Sequence, residues 1–346
     1  MSPRRFINLF PKKYFFLKLF NFLKFNFSRY TGFRFVNYLP ITMDVEPTTG
    51  CNFRCTMCQV SSPDFEAKNM KLETFKKIID QNKQLIKIKL QGMGEPFVNK
   101  YLFEMINYAR KFGVSCEIIS NGSLLNEKNS DNLINEKLAK LTISIDGATK
   151  NTFEKIRVNS NFDVVKKNVE NFSKKIDKRI IRPHFSAWST IQNDNFEEAE
   201  GIAELCRDLG FDDLTYQLFL TGWGKSEWEE KNNEKNINFN NEEVLKKFNY
   251  IKKKYSNKKF KIDIFKENIL NFNKKCSWPW NSSYLGANGD VVPCCIVADP
   301  KVKNMGNINS NSFKEIWNSK DYRELRENIK NNKLNDFCKN CYSEYK

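Results

Sequence analysis

Between residues 41 and 220 a short strand-like run gives way to a helical one, and the rhythm repeats six times. ITMDVEP reads as the first strand and KLETFKKIIDQN as the helix after it. IKIKLQG is a second strand, with Ile86, Ile88 and Leu90 alternating, and YLFEMINYARKFG a helix that Gly113 stops. VSCEIIS is the third strand, followed by a helix within LLNEKNSDNLINE. KLTISID is the fourth, followed by helices in TKNTFEKIR and FDVVKKNVENFSKKI. RIIRPHFSAWSTI, the helix NFEEAEGIAELCRDLG and the strand DDLTYQLFL complete the series. Such repeats imply an α/β fold, a parallel sheet with helices outside. Six are too few to close an eight-stranded barrel, so a partial (β/α)6 barrel is expected over 41–221, with its chemistry at the C-terminal ends of the strands.

The flanks read differently. Residues 1–40 form a basic, aromatic-rich helical extension. Its segment 6–27 suits either a helix packed on the main domain or one lying on a membrane surface. Lysines interrupt every apolar run there and no small-residue cleavage site follows, so it is not a signal peptide. No apolar run approaches about 18 residues, so no spanning helix is expected. Residues 222–269 read as a helical connector holding NNEEVLKKFNYIKKKY. Residues 270–346 are thin in apolar content and rich in tight turns, which suggests a small domain that depends on a metal to fold.

The formal net charge is +16, from 57 Lys and Arg against 41 Asp and Glu. Lysine and asparagine are scattered along the whole chain rather than clustered, which argues against a nucleic-acid partner. Ten cysteines occur in two sets, 51/55/58 and 276/294/295/338/341, with Cys116 and Cys206 apart. A long chain with clustered thiols points to metal rather than to a disulfide scaffold. Cys116 lies in a strand and Cys206 on the apolar side of a helix, so both read as buried structural thiols.

Four consecutive strands end in short motifs that would share one rim: Cys51, Cys55 and Cys58 after the first, QGMGEP after the second, SNG after the third and SIDG closing the fourth. Three thiolates suit an iron–sulfur cubane and leave one iron open to a small chelating molecule. Gly92 and Gly94 allow close backbone approach to that molecule, and Glu95 could bind an ammonium group. Asn121, Ser144 and Asp146 are placed for hydroxyls, such as those of a ribose, and Arg157 for a carboxylate. Amine, carboxylate and ribose together describe S-adenosylmethionine (SAM).

With CNFRCTMC after the first strand and MGEP after the second, the sequence resembles the radical SAM superfamily. Met93 stands where that family often has the first of two adjacent glycines, and Met57 where an aromatic often precedes the last cysteine. The resemblance implies a [4Fe–4S] cluster on Cys51, Cys55 and Cys58, with SAM bound through Gly92, Gly94, Glu95 and Pro96. It implies reductive cleavage of SAM to a 5′-deoxyadenosyl radical that abstracts a hydrogen atom. The alternative for the triad is zinc completed by a distant ligand, with His184 a candidate.

Toward the C-terminus, Cys276 is followed after twelve residues by Gly289 and after four more by Cys294, and FCKNC closes the set. This resembles a shortened SPASM, or twitch, domain, with spacing closest to the radical aminocyclitol dehydrogenases. The resemblance implies one auxiliary [4Fe–4S] cluster on Cys276, Cys294, Cys338 and Cys341. The chain ends five residues after Cys341, so the cysteines of a full SPASM domain are not expected. Cys295 rivals Cys294, and structural zinc rivals the cluster.

Three functions compete. One is oxidation of a small polar molecule, a sugar or cyclitol, with the auxiliary cluster as electron acceptor. Another is modification of a ribosomally made peptide; no leader-binding domain is visible, which leans toward the small molecule. The third is a non-catalytic metal- or RNA-binding protein. A base is not identified. Alternation places Arg182, His184, Ser186 and Trp188 on one face of the fifth strand, which makes Arg182 and His184 the candidates, with Asp290 and Tyr216 behind them. Oxygen-labile clusters imply the cytoplasm and a flavodoxin- or ferredoxin-like electron donor.

Overall fold

The computed structural model describes residues 13–31, 34–238, 241–265, 273–339 and 341–342. The chain divides into two compact units: Met1–Thr49 with Ala67–Glu117 and Ile269–Lys346, and Gly50–Glu66 with Ile118–Asn268.

The first unit begins with helix α1, Phe15–Thr31. Strand β1, Thr42–Val45, leads to α2, Leu72–Gln81; β2, Lys87–Leu90, leads to α3, Leu102–Lys111. Gly113 takes a positive φ of 66° just past α3, as the helix stop requires. β1 and β2 are parallel, with Val45 opposite Leu90. Ile88 and Leu90 are buried, while Lys87 and Lys89 occupy the alternate positions.

Residues 269–346 return to this unit. Helix α10, Trp278–Asn281, precedes β8, Tyr284–Leu285, which pairs parallel with β1. A turn through Gly286–Gly289 leads into β9, Asp290–Val292, and β10, Gly306–Asn307, follows; both pairings are antiparallel. The strand order in this unit is β10-β9-β8-β1-β2. Helices α11, Phe313–Trp317, α12, Lys320–Lys330, and α13, Asp336–Lys339, complete it. α12 buries Arg326 completely. Its guanidinium donates to the carbonyls of Pro279 at 2.8 Å, Trp317 at 2.8 Å and Arg34 at 3.3 Å. It also lies 4.6 Å from the Trp317 ring and 5.2 Å from the Tyr322 ring. With no carboxylate paired to it among the described residues, burial pulls its pKa down to about 10.

Strand β3, Ser115–Ser120, begins in the first unit and ends in the second. The second unit holds β4, Lys140–Ser144, β5, His184–Thr190, β6, Asp213–Gln217, and β7, Lys261–Phe265, all parallel and in that order. Helices α4, Glu127–Asn135, α5, Lys150–Ile156, α6, Phe162–Asp177, and α7, Ala199–Asp208, lie between them in sequence.

Two expectations shift. The fifth strand begins at His184, not Arg179, because Pro183 has no amide hydrogen to give the ladder and Ile180 and Ile181 stay in solvent. Among its described residues the stretch 222–269 holds two helices, α8, Ser226–Asn233, and α9, Glu242–Tyr255, and it also supplies β7. In β7 the exposed Lys261 and Asp263 flank Ile262, its only fully buried side chain, so its alternation is faint in the sequence.

Candidate active site and metal centres

In the second unit the cysteine loop is held from several sides. Cys55 pairs with Arg157 in a two-residue antiparallel ladder, and the Thr56 amide donates to Ile156 O at 2.9 Å. The Cys58 amide closes a turn onto Cys55 O at 3.0 Å. Asn232 Nδ2 donates to Met57 O at 3.1 Å and Lys235 Nζ to Thr56 O at 2.9 Å. Met57, Ile156 and Leu220 form a small apolar cluster against which Cys55 packs. Burial pushes the Cys55 thiol up to about 11 and Cys58 to about 12. Without metal these are protonated thiols, and a metal centre must displace the protons.

Arg157 is buried and pairs with the buried Asp146 at 2.6 Å. Its field reaches Cys55 and Cys51, and its Nε has no hydrogen-bond partner. A buried cation with a spare donor beside three thiols suits a centre that carries negative charge. Asp146 Oδ1 accepts from the Thr190 amide at 2.8 Å while Oδ2 faces Arg157, so these two sequence candidates pair with each other. Asn195, which no sequence motif marks, braces this corner by donating to Asp146 O at 2.9 Å and Thr190 O at 3.0 Å. Asn121 lies against the loop, with Nδ2 2.9 Å from Asn52 Oδ1 and 3.9 Å from Cys51 Sγ. Ser144 is half-buried at the end of β4.

Arg182 and His184 do come together, but at the N-terminal start of β5. Arg182 makes two bonds to Asp212, at 2.8 and 2.5 Å, and His184 pairs with Asp213, which also takes the Ser186 hydroxyl. Thr190, beside Asp146, marks the other end of the same strand. Tyr216 is buried with its hydroxyl on Ala199 O. Cys206 is buried on α7 and Cys116 in β3, where its thiol lies 3.9 Å from Val114 O; neither is in a disulfide.

In the first unit the GMGEP turn is built on Glu46, just past β1. Glu46 Oε1 accepts from the Met93 amide at 2.8 Å and Oε2 from the Ala287 amide at 3.4 Å. The buried Tyr284 hydroxyl is close enough to influence the carboxyl but makes no hydrogen bond. Burial raises the Glu46 carboxyl to about 7, against the pull of these bonds. A Cβ on Gly92 would lie 2.3 Å from both Glu46 Cγ and Oε1, so glycine is required by close approach. Gly94 follows in the same turn. Glu95 is buried and caps the Phe97 amide at 3.4 Å, with Pro96 opening the short helical turn Pro96–Val98. Asn99 fastens that turn to Pro47 O at 2.6 Å and Met70 O at 3.0 Å.

The second cysteine set gathers in the same unit. Cys294 feels Cys276 and Cys341, and Cys338 feels Cys294, Cys276 and Cys341. Cys295 also influences Cys276, but its own surroundings are Cys294, Asp44 and Lys89. The Cys276 amide donates to the Tyr342 hydroxyl at 3.0 Å. Asp290 accepts from Asn304 at 3.1 Å and Asn307 at 2.9 Å and so belongs to the hairpin. Among the described residues no three His, Cys, Asp or Glu side chains meet at one ion-sized point. A cubane asks for a wider spread, with each thiolate on a different iron.

An α/β scaffold, a three-thiol loop after its first strand and a second thiol set beyond its core define an iron–sulfur enzyme of the radical type. The chain belongs to the radical SAM superfamily, whose model matches residues 45–206, and a model of an iron–sulfur cluster-binding domain, SPASM, matches 276–342. It is 26% identical over 303 residues to the AdoMet-dependent heme synthase of Methanosarcina barkeri, covering 82% of this chain and 83% of that one. It is 28% identical over 136 residues to the mycofactocin maturase MftC of Mycolicibacterium smegmatis, covering 39% and 34%. The fold is similar to Streptococcus suis SuiB bound to the precursor peptide SuiA, with TM-score 0.68, 13% identity, and 88% and 70% of the two chains covered. It is also similar to anSMEcpe with bound AdoMet, with TM-score 0.61, 17% identity and 84% of each chain covered. The cofactors of this enzyme are therefore a [4Fe–4S] cluster with SAM, and auxiliary iron–sulfur. Among the described residues no helix is long and apolar enough to cross a membrane.

Proposed function

We propose that this enzyme oxidises a small polar molecule, of the sugar or cyclitol kind, at a carbon bearing a hydroxyl. When bound, the cluster and SAM would supply a 5′-deoxyadenosyl radical to take the hydrogen atom, an auxiliary cluster would accept the remaining electron, and the hydroxyl proton would pass to solvent or a base. Cys51, Cys55 and Cys58 hold the first cluster, and Arg157 offsets its charge. The Gly92–Pro96 turn, set by Glu46, receives the amino group of SAM, and Asn121 and Ser144 receive hydroxyls. Cys276, Cys294, Cys338 and Cys341 hold the auxiliary cluster. A flavodoxin- or ferredoxin-like protein delivers the reducing electron, in the cytoplasm.

One observation carries the choice of substrate class. Near Cys295 lie the buried Asp44, with Gln91 bonded to it at 2.5 Å, and Lys89 opposite it on β2. Carboxylate, amide and ammonium together suit a hydroxylated or aminated small molecule better than an apolar one. A second reading, modification of a ribosomally made peptide, draws on the maturase relative.

The test is anaerobic reconstitution of the wild type and of a Cys51→Ala/Cys55→Ala/Cys58→Ala variant, with 5′-deoxyadenosine measured after dithionite reduction. About eight irons falling to about four, with deoxyadenosine formation lost, is expected for two cubanes. About four irons with zinc retained in the variant would remove the auxiliary electron acceptor and with it the dehydrogenase. Turnover of peptides, and of no sugar or cyclitol, would replace the small-molecule reading with the second.

A further inference from the structure

Helix α1 has two unlike faces. On one, Lys18 is fully buried and its ammonium donates to Gly113 O at 2.5 Å. Asn21 donates to Leu39 O at 2.7 Å and accepts from the Leu39 amide at 3.1 Å. Phe25 packs on Tyr38, ring centroids 6.3 Å apart. These contacts fix the helix to its own unit and fix which side faces out.

The outward side is apolar. Phe16 is 82% exposed, Phe20 60%, Leu23 56% and Phe27 67%. At about 100° per residue these four positions fall within an arc of roughly 60°, opposite the anchored face. Isolated exposed apolar residues are ordinary, but four large ones aligned along one fixed helix mark a contact surface.

Charge says what the contact is. The chain has eight Lys or Arg residues and no Asp or Glu before Asp44. Lys24 Nζ lies 4.6 Å from the Phe20 ring, at the border of the stripe. Lys13 and Lys83 both lie over Phe112, at 5.5 and 5.9 Å, and Tyr14 stacks on the same ring at 6.0 Å. An apolar, phenylalanine-rich stripe bordered by Lys24, on a non-spanning helix of a segment that carries only basic charge, is the pattern of a segment lying in a lipid headgroup layer. A buried protein interface would leave those lysines to be desolvated, whereas anionic headgroups neutralise them.

We propose that the outward face of α1 docks this enzyme peripherally on an anionic membrane surface. The stripe enters the headgroup boundary, and Lys13, Lys24 and Lys83 meet lipid phosphates. The inference does not depend on the substrate assignment.

The experiment is co-sedimentation of the full-length reconstituted enzyme with vesicles of phosphatidylcholine alone, or of phosphatidylcholine and phosphatidylglycerol in equal parts. The wild type is expected to favour the anionic vesicles by about 100-fold at low salt, given three lysines at the surface. A Phe16→Ser/Phe20→Ser/Phe27→Ser variant is expected to lose that binding while its 5′-deoxyadenosine formation and iron content stay at wild-type levels, since the three side chains are in solvent. A Lys13→Gln/Lys24→Gln variant should weaken anionic binding and leave the neutral-vesicle result unchanged. A wild type that ignores both vesicle types overturns the proposal. So does a wild type that elutes at twice its mass and reverts to monomer in the phenylalanine variant, since the face would then belong to a second copy.

Discussion

Replacing Gly92 by alanine should damage the GMGEP turn through one specific neighbour. The added Cβ would stand 2.3 Å from Glu46 Cγ and Oε1 and 2.7 Å from Cδ, well inside contact distance. Glu46 cannot simply swing away, because the Met93 and Ala287 amides hold it. Either the turn moves or the carboxylate gives up its bonds, and overpacking of this kind costs about 1–3 kcal/mol. A bond from a backbone amide to an ionised carboxylate contributes about 1.5–3 kcal/mol. Gly92→Ala is therefore expected to destabilise the protein by about 2–3 kcal/mol and to weaken SAM binding. Glu46→Ala alone should cost less, since it also removes a buried carboxyl. With the Glu46 side chain gone, the alanine at position 92 has room, so the double variant should be no worse than Glu46→Ala. The resulting coupling is about 2 kcal/mol. Urea midpoints of the reconstituted proteins, with SAM binding by equilibrium dialysis, measure it. A Gly92→Ala protein as stable as wild type, or singles that simply add, would refute the reasoning.

Glu46 also makes a pH prediction. Its folded pKa of about 7 lies above the ordinary 4.5, so its contribution is present below about pH 4.5 and lost as pH rises through 7. Glu46→Gln should flatten the fall in stability between pH 5 and 8, by about 3 kcal/mol at neutral pH and above, read from urea midpoints across that range. Arg326→Met should leave three buried carbonyls without their donor and lower stability by about 3–5 kcal/mol, with Arg326→Lys recovering only part of it; thermal unfolding measures both. Cys294→Ala should lose the auxiliary irons while Cys295→Ala keeps them; equal iron content in the two would refute the assignment of Cys294.

How much of this was legible beforehand varies with the kind of signal. β1 and β2 were visible because Met43, Val45, Ile88 and Leu90 are large, buried and regularly spaced. The two thiol sets were visible because their spacing is local. β7 was not, since Lys261 and Asp263 dilute its pattern. The pairing of Asp146 with Arg157 was not legible, because nothing in a linear sequence tells which charged residues become neighbours. Glu46 was passed over for a related reason. Its role depends on Met93, 47 positions away, and on Ala287, 241 positions away. Arg326 reads as one more cation on an amphipathic helix, and only the ring of carbonyls and aromatic faces around it reveals a core residue.

The parallel pairing of β1 with β8 has a consequence in time. Asp44 meets Tyr284 and Val45 meets Leu285, so one edge of β1 waits for a partner made some 239 residues later. At about 5–20 residues per second the ribosome needs roughly 12–48 s to deliver it. Over that interval the nascent chain presents an unpaired strand edge, which is where intermolecular pairing begins. Newly made protein should therefore be most vulnerable to aggregation while the last fifth of the chain is still in the ribosome, and a truncation before β8 should retain that exposed edge permanently.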